Sequence, residues 1–221
     1  MEEDRLRLLR LPKVPQMLVE PLTDEEIATV LSAVDRSTSA GARGYTVLVL
    51  LLNTGLRASE LAGLRFEDLQ LDQGYLRVRG KGNKERIVPL GNNAKKELLH
   101  HIYRIRPETE RRPEEAVFLS SAGQPLTTNA LKLFFSRLRG RTGIRKLHAH
   151  TCRHTFAVKY LINGGDIISL QWILGHSDLS TVRIYLNLTQ AQVAAQHSRY
   201  SPMDNIRLPR PLRRGKRTRS Q

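Results

Sequence analysis

Between residues 75 and 90 the spacing of apolar side chains changes from helical to alternating, and after residue 127 it becomes helical again. YLRVRG (75–80) and ERIVPL (85–90) are short period-two runs joined by KGNK, which predicts a β-hairpin. AVFLS (116–120) is expected to add a third strand. Everything else with a period reads as helix. The expected class is therefore mainly α (α+β): a helical domain around a small antiparallel sheet.

The helical signals are specific. In PLTDEEIATVLSAV, Thr23 can cap, Glu26 completes a capping box, and Leu22 can staple against Ile27. Ile27, Val30, Leu31 and Val34 then form one stripe. YTVLVLLLNTG is apolar almost all round, as a buried helix ending at Gly55 would be, and GLRASELAGL turns into a further short helix. Leu131, Phe134, Phe135 and Leu138 make another stripe, opened by Thr127 or Thr128. TCRHTFAVKYLINGG predicts a helix capped by Thr151 with Phe156, Ala157, Tyr160 and Leu161 inward, stopped by Gly164 and Gly165. Asp166 can cap IISLQWIL, Gly175 ends it, and Ser180 or Thr181 can open TVRIYLNL.

At 221 residues the chain is long enough for one large domain or two small ones. Lysine and arginine number 36 against 21 acidic residues, a net charge of +15, which favours a polyanionic partner such as nucleic acid. Cys152 is the only cysteine, so an intramolecular disulfide and a four-cysteine zinc site are both excluded. No apolar run approaches the roughly 18–20 residues of a membrane span, and the charged MEEDRLRLLRLPKVPQ is no signal peptide. A cytoplasmic, DNA-associated protein is the expectation. RLPRPLRRGKRTRSQ, at 207–221, is expected to be disordered alone and to track a phosphate backbone, with a solvated tail of no role as the alternative.

HAHTCRH, at 148–154, gathers histidine, cysteine and arginine, and by itself suggests metal ligands. Other stretches compete for it. TGLRASEL sets Arg57 past a glycine turn and beside Glu60; GKGNKE lifts Lys81 and Lys84 on a turn; LGHSDLSTVRIY holds His176 and Tyr185. His150 and Arg153, three apart, fall on one helix face.

In their order and separations, TGLRASEL, GKGNKERIVPL, HTCRHTFA and LGHSDLSTVRIY resemble the tyrosine recombinase (phage integrase) family, in its Xer-like branch. The resemblance covers roughly residues 21–200, which it implies are the catalytic domain; residues 1–20 are then a lead-in and 201–221 a basic tail. It implies a DNA strand transferase in which tyrosine attacks the scissile phosphate, leaving a 3′-phosphotyrosyl link and a 5′-hydroxyl. Neither metal nor ATP nor another cofactor is implied. Tyr185 matches the nucleophile, Arg57 and Arg153 the phosphate-binding arginines, and His150 a phosphate donor and proton acceptor. His176 matches a second donor, Lys81 the general acid with Lys84 as its rival, and Glu60 an orienting acidic group. Partners implied are a double-stranded DNA target and self-association into a tetrameric synapse. Family members carry a core-binding domain ahead of the catalytic one, whereas about twenty residues precede the first helix here, as in a naturally short protein or a fragment. A type IB topoisomerase-like nicking-closing activity and a non-catalytic DNA-binding module are the alternatives.

Overall fold

The computed structural model describes residues 20–80, 85–106, 112–175, 197–199 and 201. The chain divides into two compact units, residues 1–182 and 183–221. In the second unit the described residues are a helical turn at 197–199 and Ser201, whose N–H donates to the His197 carbonyl at 2.7 Å.

In the first unit, helix α1 (Asp24–Ser32) opens on the expected capping box: Thr23 Oγ1 accepts from Glu26 N–H at 3.2 Å and Glu26 Oε2 accepts from Thr23 N–H at 2.8 Å. Leu22, 1% exposed, donates its N–H to Thr155 Oγ1 at 2.8 Å, which ties the start of α1 to a distant helix. Helix α2 (Ser39–Thr54) begins at Ser39, earlier than its leucine-rich run suggests. Thr38 caps it through Gly41 N–H, and the added turn packs by means of small residues, Ala42 and Gly44, that leave no apolar stripe in the sequence. Gly44 is required: a Cβ there would lie 2.5 Å from the Phe134 ring. Leu48, Leu50 and Leu51 are fully buried, so α2 is the spine of the core.

Gly55, in the left-handed region at φ 63°, ends α2, and α3 (Ala58–Ala62) follows. After a single 3-10 turn (Phe66–Asp68), strands β1 (Leu69–Gln70), β2 (Tyr75–Arg79) and β3 (Glu85–Pro89) form an antiparallel sheet in the order β1-β2-β3. The hairpin is where the alternation put it, and its KGNK connection lies outside the described residues. The third strand is not 116–120. That segment makes only isolated bridges, Arg65 with Ala116 and Leu119 with Pro125, while Val117 and Phe118 are fully buried. Its apolar run fills the core beneath the sheet rather than extending the ladder, and the two-residue β1 supplies the third strand.

Residues 92–105, which carry no expected element, form helix α4 (Asn92–His100) and a π-helical turn (His101–Ile105). Helix α5 (Thr128–Thr142) is capped by Thr127, with Leu131, Phe135 and Leu138 buried. Helix α6 (Ala149–Ile162) starts before Thr151. Its cap is His148, whose Nδ1 accepts from Thr151 N–H at 3.1 Å, and the Thr151 hydroxyl turns back to the Lys146 carbonyl. Helix α6 is buried on two sides. Cys152 and Leu147 join the main core, while Ala157, with Phe156, Tyr160 and Leu161 half-buried beside it, packs on α7 (Ile167–Leu174). Asp166 caps α7 through Ser169 N–H, and Gly175, at φ 74°, ends it. No helix among the described residues is long and apolar enough to cross a membrane.

Candidate active site

Three helix ends meet where α2 gives way to α3 and where α7 stops. Each end leaves backbone groups without intrahelical partners; at this junction arginines fill the carbonyls and Glu60 accepts the N–H that opens α3. Arg153, on α6 and 3% exposed, donates through Nη1 to the Gly55 carbonyl at 2.7 Å and through Nη2 to the Leu174 carbonyl at 2.8 Å. One guanidinium thus joins the end of α2 to the end of α7, two residues along the chain from Arg57. Gly55 allows the approach, since a Cβ there would come 2.5 Å from Phe156 and 2.9 Å from Leu174.

Arg57 precedes the first turn of α3 and is held by Glu60 from the same turn. Glu60 Oε2 accepts the Arg57 N–H at 2.9 Å and Oε1 accepts Arg57 Nη1 at 2.8 Å. The Arg57 side chain stays 33% exposed while that of Glu60 is 5% exposed, so the acid is the buried support and the arginine the presented group. Glu60 also receives Arg86 from β3, Nη1 to Oε1 and Nη2 to Oε2, both at 2.8 Å. Burial by itself would raise the Glu60 carboxyl, but the hydrogen bonds from Arg86 and the Arg57 N–H outweigh it and hold it at about 2. It is ionised throughout the neutral range, and it supports Arg57 and Arg86 together.

His150 lies in the first turn of α6, exposed, with its ring stacked on His148 at 6.4 Å between centroids. It shares a face with Arg153 but not its burial: the arginine is drawn inward by two carbonyls, and the histidine is left at the surface. Of the expected site residues, Arg57, His150 and Arg153 lie in the described part; Arg57 and Arg153 belong to this junction, and His150 lies one turn before Arg153 on α6. Lys81, its rival Lys84, His176 and Tyr185 lie outside the described residues, as does the expected TVRIYLNL helix.

The remainder of HAHTCRH has other work. Cys152 is fully buried in the core and burial pushes its thiol up to about 12, far from the thiolate a metal requires. His148 caps the helix and His154 is 5% exposed. Among the described residues no three of histidine, cysteine, aspartate and glutamate come together as a metal-holding group.

Arg86 is the residue that sequence reasoning missed. In the register of the sheet it faces Val78, so it occupies the inward row of Val78 and Val88, while its neighbour Ile87 is 58% exposed. An arginine at a core-facing strand position beside an outward isoleucine was the available signal.

Residues 20–192 match the phage integrase family. The chain is 37% identical over 206 residues to tyrosine recombinase XerD of Listeria innocua serovar 6a, covering 91% of this chain and 69% of that one. It is similar to the crystal structure of XerA recombinase, with a TM-score of 0.65 at 30% identity over 86% of this chain and 66% of the other. It is also similar to XerH site-specific recombinase bound to difH substrate in a pre-cleavage complex, with a TM-score of 0.64 at 28% identity over 82% and 54% of the respective chains. The chain thus spans about two thirds of the length of the first two relatives, and it belongs to the phage integrase family of tyrosine recombinases.

Proposed function

We propose that this chain is the catalytic domain, over residues 21–200, of a site-specific DNA recombinase that cleaves and rejoins strands through a 3′-phosphotyrosyl intermediate. The observation that carries the reading is the junction itself: Arg57, Arg86 and Arg153 gathered where α2 and α7 end, with Glu60 holding Arg57 and Arg86. Double-stranded DNA is the substrate, and the excess of 36 basic over 21 acidic residues suits it.

In the proposed reaction the Tyr185 phenolic oxygen attacks the scissile phosphorus. Its proton passes to His150, the bond from phosphorus to the 5′ oxygen breaks, and Lys81 protonates the departing oxygen. Rejoining is the reverse, with a 5′-hydroxyl displacing the tyrosine. One phosphodiester replaces another of similar energy, so the exchange needs no ATP. The five-coordinate transition state carries extra charge on its non-bridging oxygens, which Arg57 and Arg153 stabilise as permanent cations and to which His176 donates. Loss of one such donor is worth roughly 10² to 10³ in rate. Strand exchange between two duplexes calls for self-association on DNA, with four protomers in the synapse, and the basic run at 207–221 tracks the backbone.

The test is a suicide duplex that traps the intermediate. Wild type forms a covalent protein–DNA adduct that survives denaturant, and Tyr185→Phe forms none. No adduct from wild type across a library of duplexes overturns the reading, and an adduct from Tyr185→Phe overturns the nucleophile. Relaxation of supercoiled plasmid with no dependence on target site moves the assignment to a nicking-closing activity.

A further inference from the structure

A guanidinium on the inward face of a strand is costly unless it is paired and each of its nitrogens is hydrogen-bonded. Arg86, with a side chain only 10% exposed, meets that requirement through contacts to two other elements. Its Nε donates to the Ile173 carbonyl at 2.7 Å, near the end of α7, and its two Nη groups form a fork on Glu60 at 2.8 Å each. The same carboxylate oxygens hold the backbone and side chain of Arg57. The aliphatic stem runs under Gly175, where an added Cβ would lie 3.1 Å from Arg86 Cδ.

These contacts link three segments. Strand β3 follows directly on the turn that carries Lys81; Glu60 sets Arg57; and Gly175 immediately precedes His176 in the chain. We propose that Arg86 is a positioning residue for the strand-transfer reaction, one guanidinium that sets together the Arg57 side chain, the base of the hairpin and the chain leaving α7. The role in reaction rests on the recombinase reading; the hold on Arg57 does not. Lysine cannot substitute, because an ammonium lacks the planar fork that spans both carboxylate oxygens while a third N–H reaches a carbonyl on the other side.

The experiment compares the full chain with Arg86→Met, Arg86→Lys and Arg86→Ala. The order parameter of the Arg57 Nε–H, read by NMR without DNA, is expected to fall below about 0.6 in Arg86→Met. On the suicide duplex, single-turnover adduct formation is expected to slow about 10- to 100-fold while Kd moves less than about threefold, the signature of lost alignment rather than lost binding. Arg86→Lys keeps most of the defect, and added guanidinium restores part of the rate to Arg86→Ala. An unchanged Arg57 order parameter in folded Arg86→Met overturns the proposal. So does a rate that falls only in step with melting temperature and ignores guanidinium, since that describes a structural residue. Should wild type form no adduct, the recombinase reading fails, while the Arg57 measurement still decides the hold of Arg86. Should Arg86→Met not fold, Glu60→Gln keeps the shape, weakens both arginine contacts, and is expected to loosen Arg57 alike.

Discussion

Arg153 and Gly55 stand 98 residues apart in the chain, and the arginine Nη1 donates to the glycine carbonyl at 2.7 Å. With its second bond to the Leu174 carbonyl, Arg153 closes the ends of α2 and α7 together. Two carbonyls that helix geometry leaves without donors are satisfied by one buried cation, at the negative ends of both helices.

Arg153→Met is expected to destabilise the fold by about 3 kcal/mol, since both carbonyls lose a charged donor in a buried site. Arg153→Lys keeps the charge but reaches one carbonyl, and is expected to cost about half as much. Urea unfolding measures both; an Arg153→Lys variant as stable as wild type would show that charge, and not the fork, is what the junction needs.

Glu60 predicts an acid limb in stability. Its carboxyl titrates at about 2 in the fold against an ordinary 4.5, because the arginine hydrogen bonds outweigh burial. A depressed carboxyl contributes stability that is complete above the unfolded value and lost as pH falls from 4.5 toward 2. The contribution is about 3 kcal/mol at most, at roughly 1.4 kcal/mol for each pH unit of difference. Glu60→Gln should be less stable than wild type at pH 6 and should flatten the slope between pH 4.5 and 2 in the same unfolding series.

His101 predicts a second, separate limb. It is 1% exposed, stacked on Phe118 at 4.7 Å, with neither ring nitrogen hydrogen-bonded among the described residues. Burial pushes it down from 6.5 to about 4 against an opposing pull from the Val117 backbone, whose geometry falls short of a hydrogen bond, and the nearby Arg43, Arg106 and His100 act in the same direction as burial. A base with a depressed folded value favours the fold while neutral, so its contribution is complete above pH 6.5 and lost as pH falls toward 4. His101→Phe keeps the stacking and should reduce the slope between pH 6.5 and 4.5, leaving the share of His148, which burial also lowers, and the Glu60 limb in place.

Two glycines should respond in opposite directions. Gly55→Ala forces a Cβ into the left-handed region and against Phe156, and is expected to cost about 2 kcal/mol or more. Gly140, inside α5, has nothing within 4 Å of the added methyl, so Gly140→Ala should stabilise by about 0.5–1 kcal/mol. Thermal unfolding of the pair checks both signs; a stable Gly55→Ala would mean the α2–α3 turn can relax without its present packing on α6 and α7.

Much of the molecule was legible because its causes are local. Thr23 and Glu26 satisfy backbone donors within one turn, as Asp166 does, and Gly55 and Gly175 stop helices by their own backbone freedom. The hairpin was legible from alternation, and the ordered set Arg57, Lys81, His150, Arg153, His176 and Tyr185 resembles a family to which residues 20–192 belong. Where two local rules compete, neighbours alone do not decide. Thr151 has the better cap chemistry, yet His148 caps, because the Thr151 hydroxyl is taken by the Lys146 carbonyl.

Local pattern in the sequence was enough for the β2–β3 hairpin, for the cores and ends of α1, α2, α5 and α7, and for the order of the family's motifs, because periodicity, capping and motif are written within a few residues of one another. That 116–120 fills the core instead of pairing, that His150 is exposed while Arg153 is buried, and that Arg86 reaches Arg57 through Glu60 came from packing between distant segments. Those outcomes depend on what arrives from elsewhere in the chain: the bond from Arg86 to Ile173 spans 87 residues and that from Arg153 to Gly55 spans 98. A buried cation takes whichever carbonyls and carboxylate the fold brings within about 3 Å, a distance set by packing and by no local pattern.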